Sequence, residues 1–431
     1  MPDPDVHVEL RPGDRIALLV PGSTAYVDLV IGLLAAGMFP VPLDPRLTER
    51  ELDDVLAYVE PRLVVDSQEQ VESMVEHTPA RFRRGLPRGR PMHLTSGSTG
   101  SPKGVHSGVL PEAQAQRLLD EERELWGFRE TDVNLVLSPL HHSAPLRFAI
   151  GTVLAGGRLA GLDGHGQRKG LDPAVVTTTI DRERPTTMFC VPTHLQRLFA
   201  YWDREGVPDL SCFRLVAHAG APCPPAVKRR MIELFPDGST WEFYGSTEGQ
   251  FTACRSEEWL RRPGTVGRAR PGRELLLDED GTIWCVVPEH SRFTYWNAPE
   301  KTAAAWRDTE HGPAFTVGDL GRLDDDGYLF LGGRREDLVI SGGVNVYPVE
   351  VENALREHRG VEDVAVYGVD DPDWGQRVCA AYVGSARPDE LTAYARGRLA
   401  PAKRPKEYLR VDALPRTATG KLRRTELGAS G

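Results

Sequence analysis

A run of glycines and hydroxyl residues ends in a lysine at residues 94–105, LTSGSTGSPKGV. Glycines let backbone N–H groups approach an anion, serine and threonine hydroxyls donate to its oxygens, and lysine neutralises charge. The run is not a Walker A loop, G-x4-G-K-[ST], because Gly97 and Gly100 are three residues apart and Gly104 follows Lys103. By itself it predicts a phosphate-binding loop, with a flexible surface linker as the alternative.

The elements that must position this loop alternate between strand and helix patterns. Ser23 is a candidate N-cap for a helix that Gly37 stops, and Thr48 with Glu51 forms a capping box before a second helix. Strands that alternate with helices indicate a parallel sheet with both faces covered. The strand candidates are 15–20, 39–43, 62–65, 133–140, 186–191, 214–220 and 240–245, and 78–91 is predicted to be a loop.

The sequence pattern changes after Pro263, where the apolar segments become shorter and are separated by turn signals. Asp-Gly pairs between apolar runs in DEDGTIW and LDDDGYLFL predict antiparallel hairpins. From about residue 337, strand and helix patterns alternate again and predict a small α+β domain.

Composition excludes several classes of protein. A chain of 431 residues predicts two or more domains, and a net charge of -10 argues against nucleic-acid binding. The six cysteines form no CxxC pair, which favours reduced thiols in a cytoplasmic protein. The N-terminus has no apolar signal segment, and the apolar stretch 29–43 is too short and proline-broken to span a membrane.

Four further motifs follow the glycine-hydroxyl loop along the chain. They are YGSTEG (244–249), TVGDLGRLDDDGYLFLGGRRED (316–337), SGGVNVYPVEVE (341–352) and PRTATGK (415–421). Together the five resemble, in order and spacing, the adenylate-forming superfamily of acyl-CoA synthetases, firefly-type luciferases and peptide-synthetase adenylation domains. The resemblance covers about residues 12–426. It implies an α/β fold: a large N-terminal domain of parallel-type sheets flanked by helices plus a small distorted β-barrel, and a small mobile α+β C-terminal domain.

The reaction that the resemblance implies is attack of a carboxylate on the α-phosphorus of Mg-ATP, which releases pyrophosphate and leaves an acyl-adenylate. The loop would wrap the β- and γ-phosphates, Thr247 would donate to the α-phosphate, and Glu248 would hold Mg2+. A solvated surface carboxylate is the alternative for Glu248. The loop residues are Thr95, Ser96, Gly97, Ser98, Thr99, Gly100 and Lys103.

The nucleoside site is also implied by the resemblance. Asp319 would accept both ribose hydroxyls and Arg334 would be a second ribose contact, although Val317 stands where the family usually has threonine. Small residues and one aromatic would hold the adenine. These are Gly220, Ala221, Pro222, Tyr244 and Gly245.

The C-terminal part would supply a second lysine. By resemblance Lys421 bridges the substrate carboxylate and the α-phosphate, and a solvated tail lysine is the alternative. The C-terminal domain would swing about Glu336 and then present Gly343, which lines the thiol tunnel or simply forms a turn. The domains are therefore expected at 1–335 and 336–431.

The acid pocket is expected around SPLHHSAPLRF (138–148). His142 matches the family histidine beside the carboxylate, with a structural histidine as the alternative. Adjacent residues on a strand point to opposite faces, so His141 and His142 are expected to point apart and to form no metal site. Arg147 is a counter-ion for an acidic or phenolic substrate, or a surface residue. The pocket candidates are His142, Ser143, Arg147 and Cys190.

The leading hypothesis is an AMP-forming acyl- or aryl-CoA ligase that uses ATP, Mg2+ and coenzyme A. An amino-acid substrate is disfavoured, since HHSAPLRF contains no carboxylate to hold an ammonium group. The alternatives are a free-standing adenylation enzyme with a carrier protein or an amine as acceptor, activation of an oxyanion such as nitrite, and a non-catalytic ATP-binding relative. We expect a cytoplasmic monomer or homodimer that binds a small-molecule acid, without nucleic-acid or membrane partners.

Overall fold

The computed structural model describes residues 9–95, 103–162, 171–334, 337–341, 344–416 and 422–428, apart from the side chains of Arg334, Asn345 and Thr425. Several predicted site residues lie outside this described part of the chain. They are Ser96, Gly97, Ser98, Thr99, Gly100, the hinge residue Glu336, Gly343 and Lys421. Their roles stay predictions, as does the domain boundary at 335/336.

The described residues form short strands connected by helices. The strands are β1 (Arg15–Leu18), β2 (Phe39–Pro42), β3 (Leu63–Val65), β4 (His93–Thr95), β5 (Lys103–His106), β6 (Val133–Val136), β7 (Arg158–Ala160), β8 (Thr187–Cys190), β9 (Leu215–His218), β10 (Thr240–Glu242), β11 (Thr252–Arg255), β12 (Arg268–Ala269), β13 (Glu274–Leu277), β14 (Ile283–Val286), β15 (Thr294–Tyr295), β16 (Trp306–Thr309), β17 (Gly312–Phe315), β18 (Asp319–Leu323), β19 (Leu329–Arg334), β20 (Val339–Ser341), β21 (Val344–Val346), β22 (Val361–Asp371), β23 (Gly375–Gly384) and β24 (Glu407–Arg410). The helices are α1 (Thr24–Ala35), α2 (Glu49–Val59), α3 (Gln68–His77), α4 (Glu112–Trp126), α5 (Ser143–Leu154), α6 (Pro173–Glu183), α7 (Pro192–Glu205), α8 (Pro225–Leu234), α9 (Ser256–Arg261), α10 (Pro299–Ala305), α11 (Pro348–Arg356), α12 (Pro388–Arg396) and α13 (Thr425–Gly428).

The first two helices begin where their capping residues predict. The Ser23 hydroxyl accepts a hydrogen bond from the Tyr26 N–H at 3.0 Å. The Thr48 hydroxyl accepts from the Glu51 N–H, and the Glu51 carboxylate accepts from the Thr48 N–H at 2.9 Å, which completes the predicted capping box. These helices connect the all-parallel sheet β2-β1-β3.

A seven-stranded sheet forms the centre of the large N-terminal part. Its order is β12-β11-β10-β9-β8-β6-β7, parallel from β7 to β10 and antiparallel at the β10-β11-β12 edge. β8 and β9 are buried along their whole length because helices cover both faces, which explains their continuous apolar sequences. The predicted parallel sheet is confirmed.

Short antiparallel sheets follow, as the Asp-Gly pairs predict. β13 pairs with β14 and β18 pairs with β19, and Gly281 adopts a positive φ of 82° in the first turn. β15-β5-β4 and β13-β14-β17-β16 are the neighbouring sheets. Phe251, Phe293 and Phe315 lie in one core cluster, so these sheets share a hydrophobic interior with the turn after β10.

The C-terminal part is a small α+β unit. β22 and β23 form a long antiparallel pair. The other edge of β23 pairs with β20 at Gly375, where β21 continues the sheet, and with the parallel strand β24 at Cys379–Tyr382. Val351 and Leu355 of α11 and Leu391 of α12 belong to the core beside this sheet. No helix in the described ranges combines the length and apolar character that crossing a bilayer requires.

Candidate nucleotide and acid site

The YGSTEG segment forms a tight turn between β10 and β11. Gly245 and Gln250 form a bridge, and the Ser246 N–H donates to the Gly249 carbonyl at 2.8 Å. A Cβ on Gly245 would lie 2.7 Å from the Gly249 oxygen, and a Cβ on Gly249 would lie 2.8 Å from the Phe315 ring. Only glycine fits at both positions, so Thr247 and Glu248 are held at the tip of the turn.

The turn is linked to the phosphate loop through Tyr295. The Tyr295 hydroxyl donates to the Glu248 carboxylate at 2.9 Å, and the Lys103 Nζ lies 5.4 Å from the centroid of the Tyr295 ring. Strand pairing explains the proximity, since β15 pairs with β5, which begins at Lys103. Two predicted phosphate-site residues from distant parts of the chain therefore share one aromatic neighbour.

The hairpin β4-β5 carries the ends of the phosphate loop. Thr95 is paired with Lys103 across this hairpin. The ends of the predicted loop therefore lie beside the Thr247–Glu248 turn.

The Glu248 carboxylate suits the Mg2+ that the family fold implies. It is 7 % exposed, and the Tyr295 hydroxyl is its one hydrogen-bond partner among the described side chains. Burial, together with the adjacent Glu248 charge, raises the pKa of Tyr295, so the phenol remains a donor. The second carboxylate oxygen is thus left for a hard cation, which prefers such oxygen ligands.

The predicted ribose and adenine residues also come together. The Tyr244 hydroxyl donates to Asp319 at 2.6 Å, and Asp319 is paired with Arg334 across the β18-β19 ladder. Gly220 follows the carboxyl end of β9, where its φ of 89° favours glycine.

The three loop residues Gly220, Ala221 and Pro222 retain accessible surface beside this strand end. An open crevice at the carboxyl ends of parallel strands is where ligands of α/β sheets bind.

The prediction that His141 and His142 point to opposite faces is wrong. They lie in the turn before α5 rather than on a strand, and their ring centroids are 4.2 Å apart. Asp44 lies 3.7 Å from the His141 Nε2. Burial lowers the pKa of His142 to about 3, and the charges of His141 and His93 act in the same direction. His142 is therefore a neutral imidazole at physiological pH.

A cavity of about 120 Å³ adjoins the Thr247 turn. Of the predicted pocket residues, Ser143 and Arg147 line it, whereas His142 and Cys190 do not. Cys190 is fully buried at the end of β8, and burial raises the pKa of its thiol to about 12. Its predicted place in the acid pocket has no support from this cavity.

Sequence analysis missed most of the charged residues of this cavity. The Glu122 carboxylate accepts from Arg270 at 3.0 Å, and Glu121 accepts from Arg273 at 2.8 Å. Arg90 donates to the backbone oxygen of Glu248 at 3.1 Å. These residues are far apart in sequence and follow no motif, so only the packing of α4 against the turn reveals them.

A buried polar triad beneath the adenine loop was also missed. The Lys228 Nζ of α8 is fully buried, 2.7 Å from the His218 Nε2 and 3.5 Å from the Glu242 carboxylate. Burial, and then the Lys228 charge, lowers the pKa of His218 well below its usual value. A neutral His218 accepts the lysine hydrogen bond, which ties α8 to the ends of β9 and β10 below the loop.

Known families match most of this chain. Residues 6–86 and 92–287 match the AMP-binding enzyme family, and residues 350–421 match the AMP-binding enzyme C-terminal domain.

Similar proteins have related names and structures. A feruloyl-CoA synthase of Amycolatopsis sp is 34 % identical, over 97 % of this chain and 89 % of that protein. ATP-bound MatB of Rhodopseudomonas palustris has a TM-score of 0.82 at 28 % identity, covering 99 % of this chain and 90 % of that one. The o-succinylbenzoate CoA synthetase of Bacillus subtilis, in complex with its acyl-adenylate intermediate, has a TM-score of 0.80 at 26 % identity, over 97 % and 88 %.

Proposed function

This chain belongs to the family of AMP-binding enzymes, and we propose that it joins a small carboxylic acid to coenzyme A through an acyl-adenylate. In the first step a carboxylate oxygen bonds to the α-phosphorus of ATP while the bond to pyrophosphate breaks. In the second step the thiol sulfur bonds to the acyl carbon, AMP leaves and the thiol proton is released. The reaction consumes ATP and yields an acyl-CoA, AMP and pyrophosphate.

The observation that carries this proposal is the turn at 244–250. It holds Thr247 and Glu248 beside Lys103, and Tyr295 contacts both Glu248 and Lys103. A triphosphate with its metal ion requires a hydrogen-bond donor, a metal ligand and a positive charge, which a hydroxyl, a carboxylate and an ammonium can supply. Lys103 would stabilise the departing pyrophosphate, and Thr247 would donate to the α-phosphate.

Glu248 would be the protein ligand of Mg2+, which neutralises phosphate charge when bound. The chain's own residues do the positioning: Arg90 donates to the Glu248 backbone oxygen, and Tyr295 fixes its carboxylate. Asp319, oriented by Tyr244, would accept from the ribose hydroxyls. His142, neutral because of burial and not part of the cavity lining, would contact the acid at its carboxylate end without adding charge.

We further propose a cytoplasmic location. It suits an enzyme that consumes ATP and coenzyme A, and all six cysteines are unpaired thiols, as a reducing compartment favours.

Exchange of labelled pyrophosphate into ATP tests the first step across a panel of carboxylic acids, with nitrite added as a separate sample. Coenzyme A, a carrier protein or an amine is then supplied, and the product is identified by mass spectrometry. Exchange with a carboxylic acid followed by an acyl-CoA product is expected. A product with only the carrier or the amine would support the alternative acceptor. The absence of exchange with every acid would contradict the proposal.

A further inference from the structure

The cavity beside the Thr247 turn contains more positive than negative charge. Glu121 and Glu122 are the carboxylates paired with its arginines in the described part of the chain. Glu248 is not a wall residue, and its carboxylate is bonded to Tyr295. The four lining arginines are Arg90, Arg147, Arg270 and Arg273. The charge of Glu248 nevertheless acts on Arg90, so four guanidinium groups stand against three carboxylates, which leaves one positive charge in excess.

Arg147 is the least satisfied of these arginines. Its Nε lies 3.8 Å from Glu122, and its guanidinium lies 5.7 Å from the centroid of the Phe243 ring. None of its N–H groups has a hydrogen-bond acceptor among the described residues, and its Nε is buried without a partner. A guanidinium has five N–H donors. The Arg147 side chain is 26 % exposed, so the acceptors for its remaining N–H groups come from water or from a bound ligand.

Other buried polar atoms without hydrogen-bond partners belong to residues that line the same cavity. Five of the fourteen buried side-chain atoms without a hydrogen-bond partner in the described chain belong to residues that line this cavity. They are His93 Nε2, Arg147 Nε, Ser246 Oγ, Gln250 Nε2 and Arg270 Nε. Arg270 and Gln250 are each 4 % exposed, so bulk water does not satisfy them. Three of the five are N–H donors, which indicates an acceptor-rich ligand.

The size and the remaining walls limit that ligand. The volume of about 120 Å³ is below that of a 150 Å³ cavity able to hold benzene, so at most about six non-hydrogen atoms fit, enough for the part of a short acid beyond the carboxylate at the turn. Leu118, Leu146 and Ile150 provide apolar wall on the α4 and α5 sides. Thr247 and Ser246 line the same cavity, so a ligand here can extend to the turn that we assign to the α-phosphate.

We propose that this cavity selects a short acid with a second anionic group, and that Arg147 is the residue which recognises that group. The inference rests on the proposed function and specifies its substrate class. The carboxylate to be activated lies at the Thr247 turn, and the second carboxylate lies against Arg147. An apolar acyl chain of the same length would leave the arginine charges unpaired.

Paired acids test the proposal directly. Straight-chain dicarboxylic acids of three to six carbons are compared with monocarboxylic acids in which an isopropyl group replaces the second carboxylate. Pyrophosphate exchange gives kcat/KM for the wild type, Arg147→Met, Arg147→Lys and the control Arg117→Met. Arg117 is an exposed arginine on α4, the helix that forms one wall of the cavity. Calorimetric titration of each acid with the same proteins measures binding without turnover.

The wild type is expected to prefer the best dicarboxylic acid by at least about tenfold. Arg147→Met is expected to reduce that preference about ten- to a hundredfold, as loss of a charged hydrogen bond does, and Arg147→Lys is expected to restore part of it. Arg117→Met should behave as the wild type. Equal or better exchange with the isopropyl-ended acids would overturn this inference and leave the proposed function intact. If no acid supports exchange but a dicarboxylate binds in an Arg147-dependent manner, the proposed function is overturned and the cavity assignment is supported. If there is neither exchange nor such binding, the proposed function and the cavity assignment are both overturned.

Discussion

Tyr244 donates a 2.6 Å hydrogen bond to Asp319, a residue 75 positions later in the chain. The first residue belongs to the turn after β10 and the second begins β18, so this bond joins the central sheet to the antiparallel sheets. It also orients the carboxylate that we assign to the ribose. Two residues chosen from separate motifs are thus direct neighbours, although their roles toward a nucleotide stay predictions.

Tyr244→Phe is expected to weaken ATP binding. Without the phenol, Asp319 loses the partner that orients it, and a hydrogen bond to a charged group is worth about 1.5–3 kcal/mol. We expect KM for ATP to rise about tenfold, as measured by pyrophosphate exchange. Tyr328→Phe is the control, since Tyr328 donates to Glu258 at 3.0 Å outside the site. An equal rise of KM in both variants would contradict the assignment.

Tyr295→Phe is expected to raise the Mg2+ concentration for half-maximal activity by about tenfold, since partners that orient a metal ligand typically affect affinity by that order. The phenol fixes the Glu248 carboxylate from 2.9 Å. Glu248→Gln should lower the rate about a hundredfold at saturating Mg2+. Tyr201→Phe, on α7, serves as the control. A Mg2+ dependence unchanged by either site substitution would exclude Glu248 as the metal ligand.

Gly249→Ala is expected to destabilise the protein by about 1–3 kcal/mol, because its Cβ would meet the Phe315 ring at 2.8 Å. The displaced turn should also reduce adenylation. Urea unfolding and pyrophosphate exchange measure the two effects. Gly397→Ala is the control, since the nearest atom to its Cβ would lie 3.8 Å away. A stable and fully active Gly249→Ala protein would show that the turn tolerates movement.

Acid is expected to destabilise the fold because several histidines are buried as neutral rings. Burial lowers the pKa of His93 and His142 to about 3, that of His194 to about 4, and that of His218 well below its usual value. Between pH 7 and 5.5 the unfolded chain binds protons that the folded chain does not. Unfolding free energy should therefore fall by about 1 kcal/mol per histidine.

Glu242 opposes this loss, because burial raises the pKa of its carboxyl although Lys228 lowers it. Urea titrations at pH 7 and 5.5 measure the net change. His93→Gln should reduce the pH dependence by about one proton, and the exposed His77→Gln should not. An unchanged pH dependence in His93→Gln would mean that the His93 ring is accessible to solvent in the folded protein.

Lys421→Ala tests the prediction that the C-terminal domain supplies Lys421 for adenylation but not for thiol transfer. We expect adenylation to fall about a hundred- to a thousandfold, since one preorganised charge is lost. Thiol transfer from a supplied acyl-adenylate should persist. Lys406→Ala, in the same domain, is the control. Equal loss of both half-reactions would contradict a domain that swings between them.

Local chemistry in the sequence determined much of this fold. Ser23 and Thr48 predicted the starts of α1 and α2, and Asp-Gly pairs predicted two hairpins, because caps and turns depend on residues only a few positions apart. The five motifs predicted the family for the same reason. The prediction that His141 and His142 point apart was wrong, because the turn before α5 brings their ring centroids to 4.2 Å from each other.

The sequence by itself therefore determined the reaction class and predicted the residues of the turn at 244–250, since these lie within short motifs. Only the tertiary structure decided which distant side chains share an interior. Arg90, Arg147, Arg270 and Arg273 meet at one cavity because α4, α5 and the edge of the central sheet pack around the Thr247 turn. The sequence offered Arg147 as a counter-ion for an acidic substrate or as a surface residue. Only the folded chain shows that three further arginines surround the same cavity, because charge accumulation that arises from packing leaves no periodic pattern.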